Sequence, residues 1–181
     1  KYFSSPETKT SSILNSSLVP ELYVRNAVTG GTWNFTNVTR ANSSQPITIN
    51  WTLGGNGTLN MGWYLDVNVT NSSGNALQDA NVTAWNRNNL FQFSANTTAS
   101  GLIPRQTLLE YTNINNTLKT YFSNYTADTT KTGYAKNSQS VNMSTSRLLN
   151  IALTESEGLT CGNLDAPNTI YTLTNNVSSP D

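Results

Sequence analysis

The feature that most constrains the fold of this chain is a regular alternation of apolar and polar residues. In residues 47–53 every odd position is apolar and every even position is polar. The same rhythm returns in residues 65–70, 80–84, 141–143 and 149–153. Period two places one set of side chains on each face of an extended strand. The pattern therefore predicts half-buried β-strands along most of the chain.

Turn-forming residues separate these stretches, at positions 29–31, 54–57, 72–75 and 131–133. Short amphipathic strands at this spacing are typical of a sandwich or a barrel. We therefore predict an all-β chain that folds as an antiparallel β-sandwich with extended N- and C-terminal segments.

Three regions are predicted along the chain. Residues 1–20 are rich in Ser, Thr and Pro without a sustained period, and are expected to form an extended segment that leads into the domain. Residues 21–154 are expected to form the sandwich. Residues 155–181 contain Gly158, Cys161 and other breaks in the pattern, and are expected to be a linker or the start of a following domain.

The polar surface is built from uncharged residues. The chain has 27 Asn, 27 Thr and 20 Ser, but only ten basic and ten acidic residues, which cancel. A nucleic-acid partner is not expected, because no basic stripe is present to follow a phosphate backbone. We also find no apolar run long enough to span a membrane. A neutral surface that depends on sugar or assembly for solubility predicts an extracellular or cell-surface location.

Catalytic chemistry has few candidate residues. The chain has no histidine and a single cysteine, so the commonest metal ligand and general base is missing. The ten acidic residues are scattered singly except for Glu155 and Glu157, and no nucleophile or phosphate-binding motif occurs. We predict no catalytic residues, no metal site and no cofactor, so the chain is not expected to be an enzyme.

Glycosylation is the modification that the sequence favours. Fourteen Asn-x-Ser/Thr triplets occur, about twice the roughly seven expected from composition. Such triplets also arise on any Asn-rich polar strand face, so several rather than all are expected to carry glycan. Asn15 and Asn176 begin two of them, and the remaining candidates are Asn34, Asn37, Asn42, Asn50, Asn56, Asn68, Asn71, Asn81, Asn96, Asn115, Asn124 and Asn142.

Two tryptophans are candidates for stacking on sugar rings, Trp85 and Trp33. Trp85 is in period with Asn81 and Thr83, which are predicted to face outward. The alternative is that a neighbouring strand or subunit covers Trp85.

Residues 65–84, LDVNVTNSSGNALQDANVTA, resemble the opening of a carboxypeptidase-regulatory-like, or prealbumin-like, β-sandwich domain. Four later segments fit the same pattern in order, so that the resemblance covers about residues 61–154: residues 99–104, 108–111, 131–134 and 149–153. The resemblance implies an Ig-like sandwich, carried by a large surface or secreted protein, with no activity of its own. Some relatives form a Lys–Asn isopeptide bond beside a buried acid. Glu110 and Asn150 match the acid and the asparagine, but residues 63–71 lack the lysine.

Residues 160–177 resemble the first part of a right-handed parallel β-helix of archaeal and bacterial surface proteins, and residues 33–39, WNFTNVT, resemble segments that leave such a helix. The resemblance implies that residues 155–181 start a following β-helix domain. Cys161 is expected to form a disulfide with a partner outside this chain.

The leading functional interpretation is a non-catalytic structural or adhesive module of a secreted or cell-surface glycoprotein. Its expected partners are neighbouring domains of the same protein or further copies of itself. One alternative is a subunit of an extracellular filament assembled by strand exchange. A second alternative is a carbohydrate-binding module, with carbohydrate as its partner.

Overall fold

The structure, a computed structural model, describes residues 2–3, 10–18, 21–25, 31–43, 45–52, 57–115 and 118–156. These residues contain fifteen β-strands and no helix, so the predicted all-β class is confirmed. No helix in this part of the chain is long and apolar enough to cross a membrane.

The first eight strands, in chain order, are β1 (Tyr2–Phe3), β2 (Thr10–Leu14), β3 (Ser17–Leu18), β4 (Glu21–Arg25), β5 (Gly31–Thr36), β6 (Thr39–Arg40), β7 (Thr48–Thr52) and β8 (Gly57–Asn71). The remaining strands are β9 (Asn81–Trp85), β10 (Phe91–Asn96), β11 (Gln106–Ile114), β12 (Thr120–Tyr121), β13 (Tyr125–Thr130), β14 (Asn137–Val141) and β15 (Arg147–Leu153).

Strands β1 to β8 pair in parallel. β1, β4 and β7 form one ladder, β2, β5 and β8 a second, and β3 and β6 a third. Each ladder therefore joins equivalent strands of successive turns of the chain, as in a β-solenoid. We call the described part of residues 2–62 the coil stack. The segment 33–39, which resembles the exit from a parallel β-helix, lies in its middle turn.

A short sequence repeat accompanies this stacking. Gly31–Asn34 reads Gly-Thr-Trp-Asn and lies in register with Gly57–Asn60, which reads Gly-Thr-Leu-Asn. The two asparagines stack, because Asn60 Nδ2 donates a hydrogen bond to Asn34 Oδ1 at 2.8 Å. Parallel in-register pairing places like residues side by side, so the two asparagine side chains of the repeat can hydrogen-bond to each other.

The later strands form a sandwich. One layer contains β12, β11, β8 and β15, and the other contains β10, β9, β13 and β14. All pairs are antiparallel except β8 with β15, which is parallel. The predicted alternation is confirmed in β8, where Leu65, Val67 and Val69 are fully buried. They belong to the same core as Val82 and Ala84 of the opposite layer.

Strand β8 is common to both parts of the molecule. Its first six residues pair with β5 of the coil stack, and residues 65–71 pair with β15 of the sandwich. β11 runs antiparallel along the other edge from Thr58 to Leu65 and so spans both halves. The strand partner of β8 therefore changes near Gly62, from β5 of the coil stack to β15 of the sandwich. The sequence pattern predicts that the sandwich begins at residue 21.

Trp63 lies at this point of change. It is fully buried. Its indole Nε1 donates a hydrogen bond to Glu110 Oε2 at 2.7 Å. Burial raises the pKa of Glu110, and the bond from Trp63 acts in the opposite direction. Trp63 thus fills the core and also satisfies a half-buried carboxyl group.

Candidate functional site

Most of the side chains that could bind a ligand lie on the outward face of the layer formed by β10, β9, β13 and β14. Antiparallel register places Trp85 opposite both Phe91 and Thr126. The next row of this face contains Thr83, opposite Ser94 and Asp128. Directly paired residues share one face of a sheet, so aromatic and polar side chains form adjacent rows.

A shallow groove of about 380 Å³ lies on this face, within the size range of small-molecule sites. It is lined by Trp85, Asn89, Thr126, Asp128, Lys136 and Ser138. Trp85 is half-buried, so part of its ring stays accessible. The outward orientation predicted for Trp85 from its period agrees with this position.

Asp128 is the one carboxylate that lines the groove. Lys136 Nζ lies 2.5 Å from Asp128 Oδ2. Hydrogen bonds from Lys136 and then from Ser138 lower the pKa of Asp128 below its ordinary value. At neutral pH the groove therefore holds a carboxylate and an ammonium group whose charges cancel.

The loop between β9 and β10 is fixed by Asn86, which is buried. Its Oδ1 accepts hydrogen bonds from the backbone N–H groups of Asn88 at 2.9 Å and Leu90 at 3.1 Å. Asn89 adopts a positive φ of 57°, which asparagine tolerates better than most residues. The loop that carries Asn89 into the groove is therefore held in shape before any ligand binds.

Trp33, the second predicted sugar-stacking residue, is not on the surface. It is only 4% exposed and belongs to the hydrophobic core. Its ring meets that of Trp51 edge to face, with centroids 6.3 Å apart. The prediction for Trp33 is wrong because the next coil covers the side chain with Trp51 and with the backbone of Gly57.

The glycosylation candidates within the described residues fall into two groups. Six are exposed: Asn15, Asn42, Asn96, Asn115, Asn124 and Asn142. Six are half-buried on strands or at their ends: Asn34, Asn37, Asn50, Asn68, Asn71 and Asn81. Asn56 and Asn176 lie outside the described residues.

Hydrogen bonding also distinguishes the exposed from the half-buried asparagines. A glycan is attached to the side-chain Nδ2 and leaves that nitrogen only one N–H to donate. Asn81 Nδ2 donates to Ser94 Oγ at 3.0 Å and to Asn96 Oδ1 at 2.8 Å, so a glycan there would cost one of these bonds. Asn115 uses Oδ1 instead, which accepts from the backbone N–H of Gly57 at 2.6 Å. The exposed sites therefore suit a glycan better than the half-buried sites.

The two residues that match the isopeptide pattern are far apart. Asn150 pairs with Asn68, whereas Glu110 lies at the irregularity of β11 opposite Met61 and Gly62. Six residues of β8 separate these levels, or about 20 Å at the rise of a strand. The crosslink is therefore not supported. Cys161, the predicted partner of an external disulfide, lies outside the described residues.

Sequence reasoning missed most of the groove. Thr126 and Asp128 are two residues apart on β13, so the sequence alone could have shown that they lie on one face of the sheet. Lys136 and Ser138 join them only through the pairing of β13 with β14. No group of three or more His, Cys, Asp or Glu side chains suited to a metal occurs among the residues that the structure describes.

No family model and no curated protein matches the sequence. Several solved structures are similar to part of it, among them the following two. The Bacillus anthracis TIE protein has a TM-score of 0.33 and 15% identity over 52% of this chain and 17% of that chain. GBS52, the minor pilin of the Gram-positive pathogen Streptococcus agalactiae, has a TM-score of 0.39 and 14% identity over 54% of this chain and 46% of that chain. This chain spans less than half the length of either protein.

Proposed function

We propose that the chain is a non-catalytic structural module of a secreted or cell-surface glycoprotein, and that it joins a solenoid-like coil stack rigidly to a β-sandwich. The observation that carries this proposal is β8, which takes part in both units over 15 residues. Ordinary domains meet through exposed linkers, and relative motion is then expected. Here no linker separates the two units.

The rigidity follows from the hydrogen bonding of β8. Bending the chain near Gly62 would break backbone bonds to β5 or to β11, and would expose Trp63. Each lost bond costs about 1 kcal/mol net, and exposure of a large aromatic side chain costs several times more. The junction is therefore suited to transmitting orientation, which is useful in a long surface protein.

The glycoprotein assignment rests on the sequons and on the uncharged surface. Six acceptor asparagines are exposed, and glycans at these positions would supply the solubility that the neutral surface does not. In the groove, Asp128 is held ionised by Lys136, so it is poorly suited to donate a proton as a general acid at neutral pH.

Interrupting β8 tests the structural role. Inserting Gly-Ser-Gly-Ser between Gly62 and Trp63 is expected to split one cooperative thermal transition into two, because the coil stack loses the strand that ties it to the sandwich. The measurement is differential scanning calorimetry.

The matched control carries the same insertion after Gly74, in an exposed turn where no atom lies within 4 Å of an added Cβ. We expect that variant to unfold in a single transition close to that of the unmodified chain. Identical calorimetric profiles for the two insertions would contradict a rigid junction.

A filament subunit assembled by strand exchange is the second candidate function. Among the strands that the structure describes, β2 lies at the edge of its sheet, and Leu14 at its end is 56% exposed. An added strand would pair with this edge and cover Leu14. Filaments formed by the purified chain in electron micrographs would favour this candidate over an isolated module.

A further inference from the structure

Apolar side chains are unusually exposed beside the groove. Phe91 is 61% exposed and Leu90 is 58% exposed, at the start of β10. Phe91 pairs with Trp85 beside an irregularity of the β9–β10 ladder, which falls between Phe91 and Phe93, and both side chains stay at least partly accessible. The next row is polar, with Thr83 and Ser94 joined at 2.9 Å. An aromatic platform on an otherwise polar face is a feature that the packing of this chain does not require.

The polar groups of the groove offer both kinds of hydrogen-bonding partner. Ionised Asp128 only accepts, Lys136 only donates, and the hydroxyl groups of Thr126 and Ser138 do both. Because Lys136 is already paired with Asp128, the groove has no uncompensated charge to attract an anion or a cation. Its chemistry matches a neutral ligand that carries many hydroxyl groups.

We propose that Trp85, Phe91 and the Asp128–Lys136 pair form a binding site for a neutral oligosaccharide. The apolar face of a sugar ring packs on Trp85 or Phe91, as amphipathic ligands do on aromatic side chains. Sugar hydroxyl groups then donate to Asp128 and accept from Lys136. The fixed loop at Asn86 and the pairing of β9, β10 and β13 hold these groups in place, which reduces the entropy lost on binding.

The test uses the full chain and three neutral probes, namely cellohexaose, chitohexaose and mannohexaose, measured by isothermal titration calorimetry. At least one probe is expected to bind, with less than a twofold change in Kd between 50 and 500 mM salt. Trp85→Ala and Asp128→Asn are each expected to weaken that binding at least tenfold. Phe91→Ala, which alters an exposed side chain, gives a second aromatic variant with little effect on folding.

The control is Tyr121→Ala, since Tyr121 is also an exposed aromatic residue, at 42%, but lies in the other layer. It should leave the Kd unchanged. The proposal is overturned if no probe binds, or if binding survives both Trp85→Ala and Phe91→Ala. It is also overturned if the platform proves to be a contact between copies, shown by a dimer that Phe91→Ala dissociates. None of these results bears on the β8 junction.

Discussion

Replacing Trp63 by alanine is expected to lower the free energy of unfolding by about 3–5 kcal/mol, the usual cost of deleting a buried aromatic side chain. Trp63 is fully buried where the coil stack meets the sandwich. The variant also leaves Glu110 without the indole donor that lies 2.7 Å away. A domain of ordinary stability would lose about a fifth or more of its free energy of unfolding. Urea denaturation followed by far-UV circular dichroism measures the change.

Two further variants serve as comparisons for Trp63→Ala. Trp63→Phe keeps most of the ring volume and loses the hydrogen bond, so a cost of about 1–2 kcal/mol is expected. Trp85→Ala removes a tryptophan from the outward face of the sandwich and should cost about 1 kcal/mol or less. If Trp63→Ala were no more destabilising than Trp85→Ala, the placement of Trp63 in the core would be wrong.

Gly101→Ala is expected to destabilise the chain by roughly 2–5 kcal/mol, from a strained backbone together with a steric clash. Gly101 has a φ of 78°, and an added Cβ would lie 2.5 Å from the carbonyl oxygen of Val69. The backbones of Gly101 and Val69 cannot easily move apart to relieve the clash, because Val69 N–H donates a hydrogen bond to Gly101 O at 2.8 Å.

Gly74 provides the matched control for Gly101. Its φ is 83°, but no atom lies within 4 Å of an added Cβ. Gly74→Ala should therefore lower the free energy of unfolding only by the cost of the left-handed backbone conformation, about 1–2 kcal/mol. Urea denaturation of both variants separates the two contributions. Equal losses would mean that the loop carrying Gly101 does not approach β8 as closely as described.

The sandwich could be predicted from the sequence because its signal is local. Within β8 the alternation of Leu65, Val67 and Val69 with polar residues follows from the geometry of a single strand, whatever it pairs with. The outward position of Trp85 follows in the same way from Asn81 and Thr83. The residues that join Trp85 in the groove depend on how β13 pairs with β14, and pairing register between strands is not visible in a local period.

The coil stack was harder to predict because the burial of a side chain there depends on the neighbouring coil. The two-residue period of a single strand does not show which coil lies beside it. Trp33 was expected at the surface, yet stacked coils bury it beside Trp51. The available signal was the repeat of Gly-Thr-x-Asn at Gly31–Asn34 and Gly57–Asn60. A period of 26 residues suggests stacking turns, whereas the two-residue period suggests only a strand.

Residue-resolved amide hydrogen exchange across β8 tests the central claim most directly. A single strand shared by both units predicts that the backbone amides of Leu59 to Val69 exchange together, with similar protection, through a common unfolding event. Rapid exchange at Leu59 to Met61 beside slow exchange at Val67 and Val69 would show instead that the coil stack opens independently of the sandwich. That result would contradict the rigid junction.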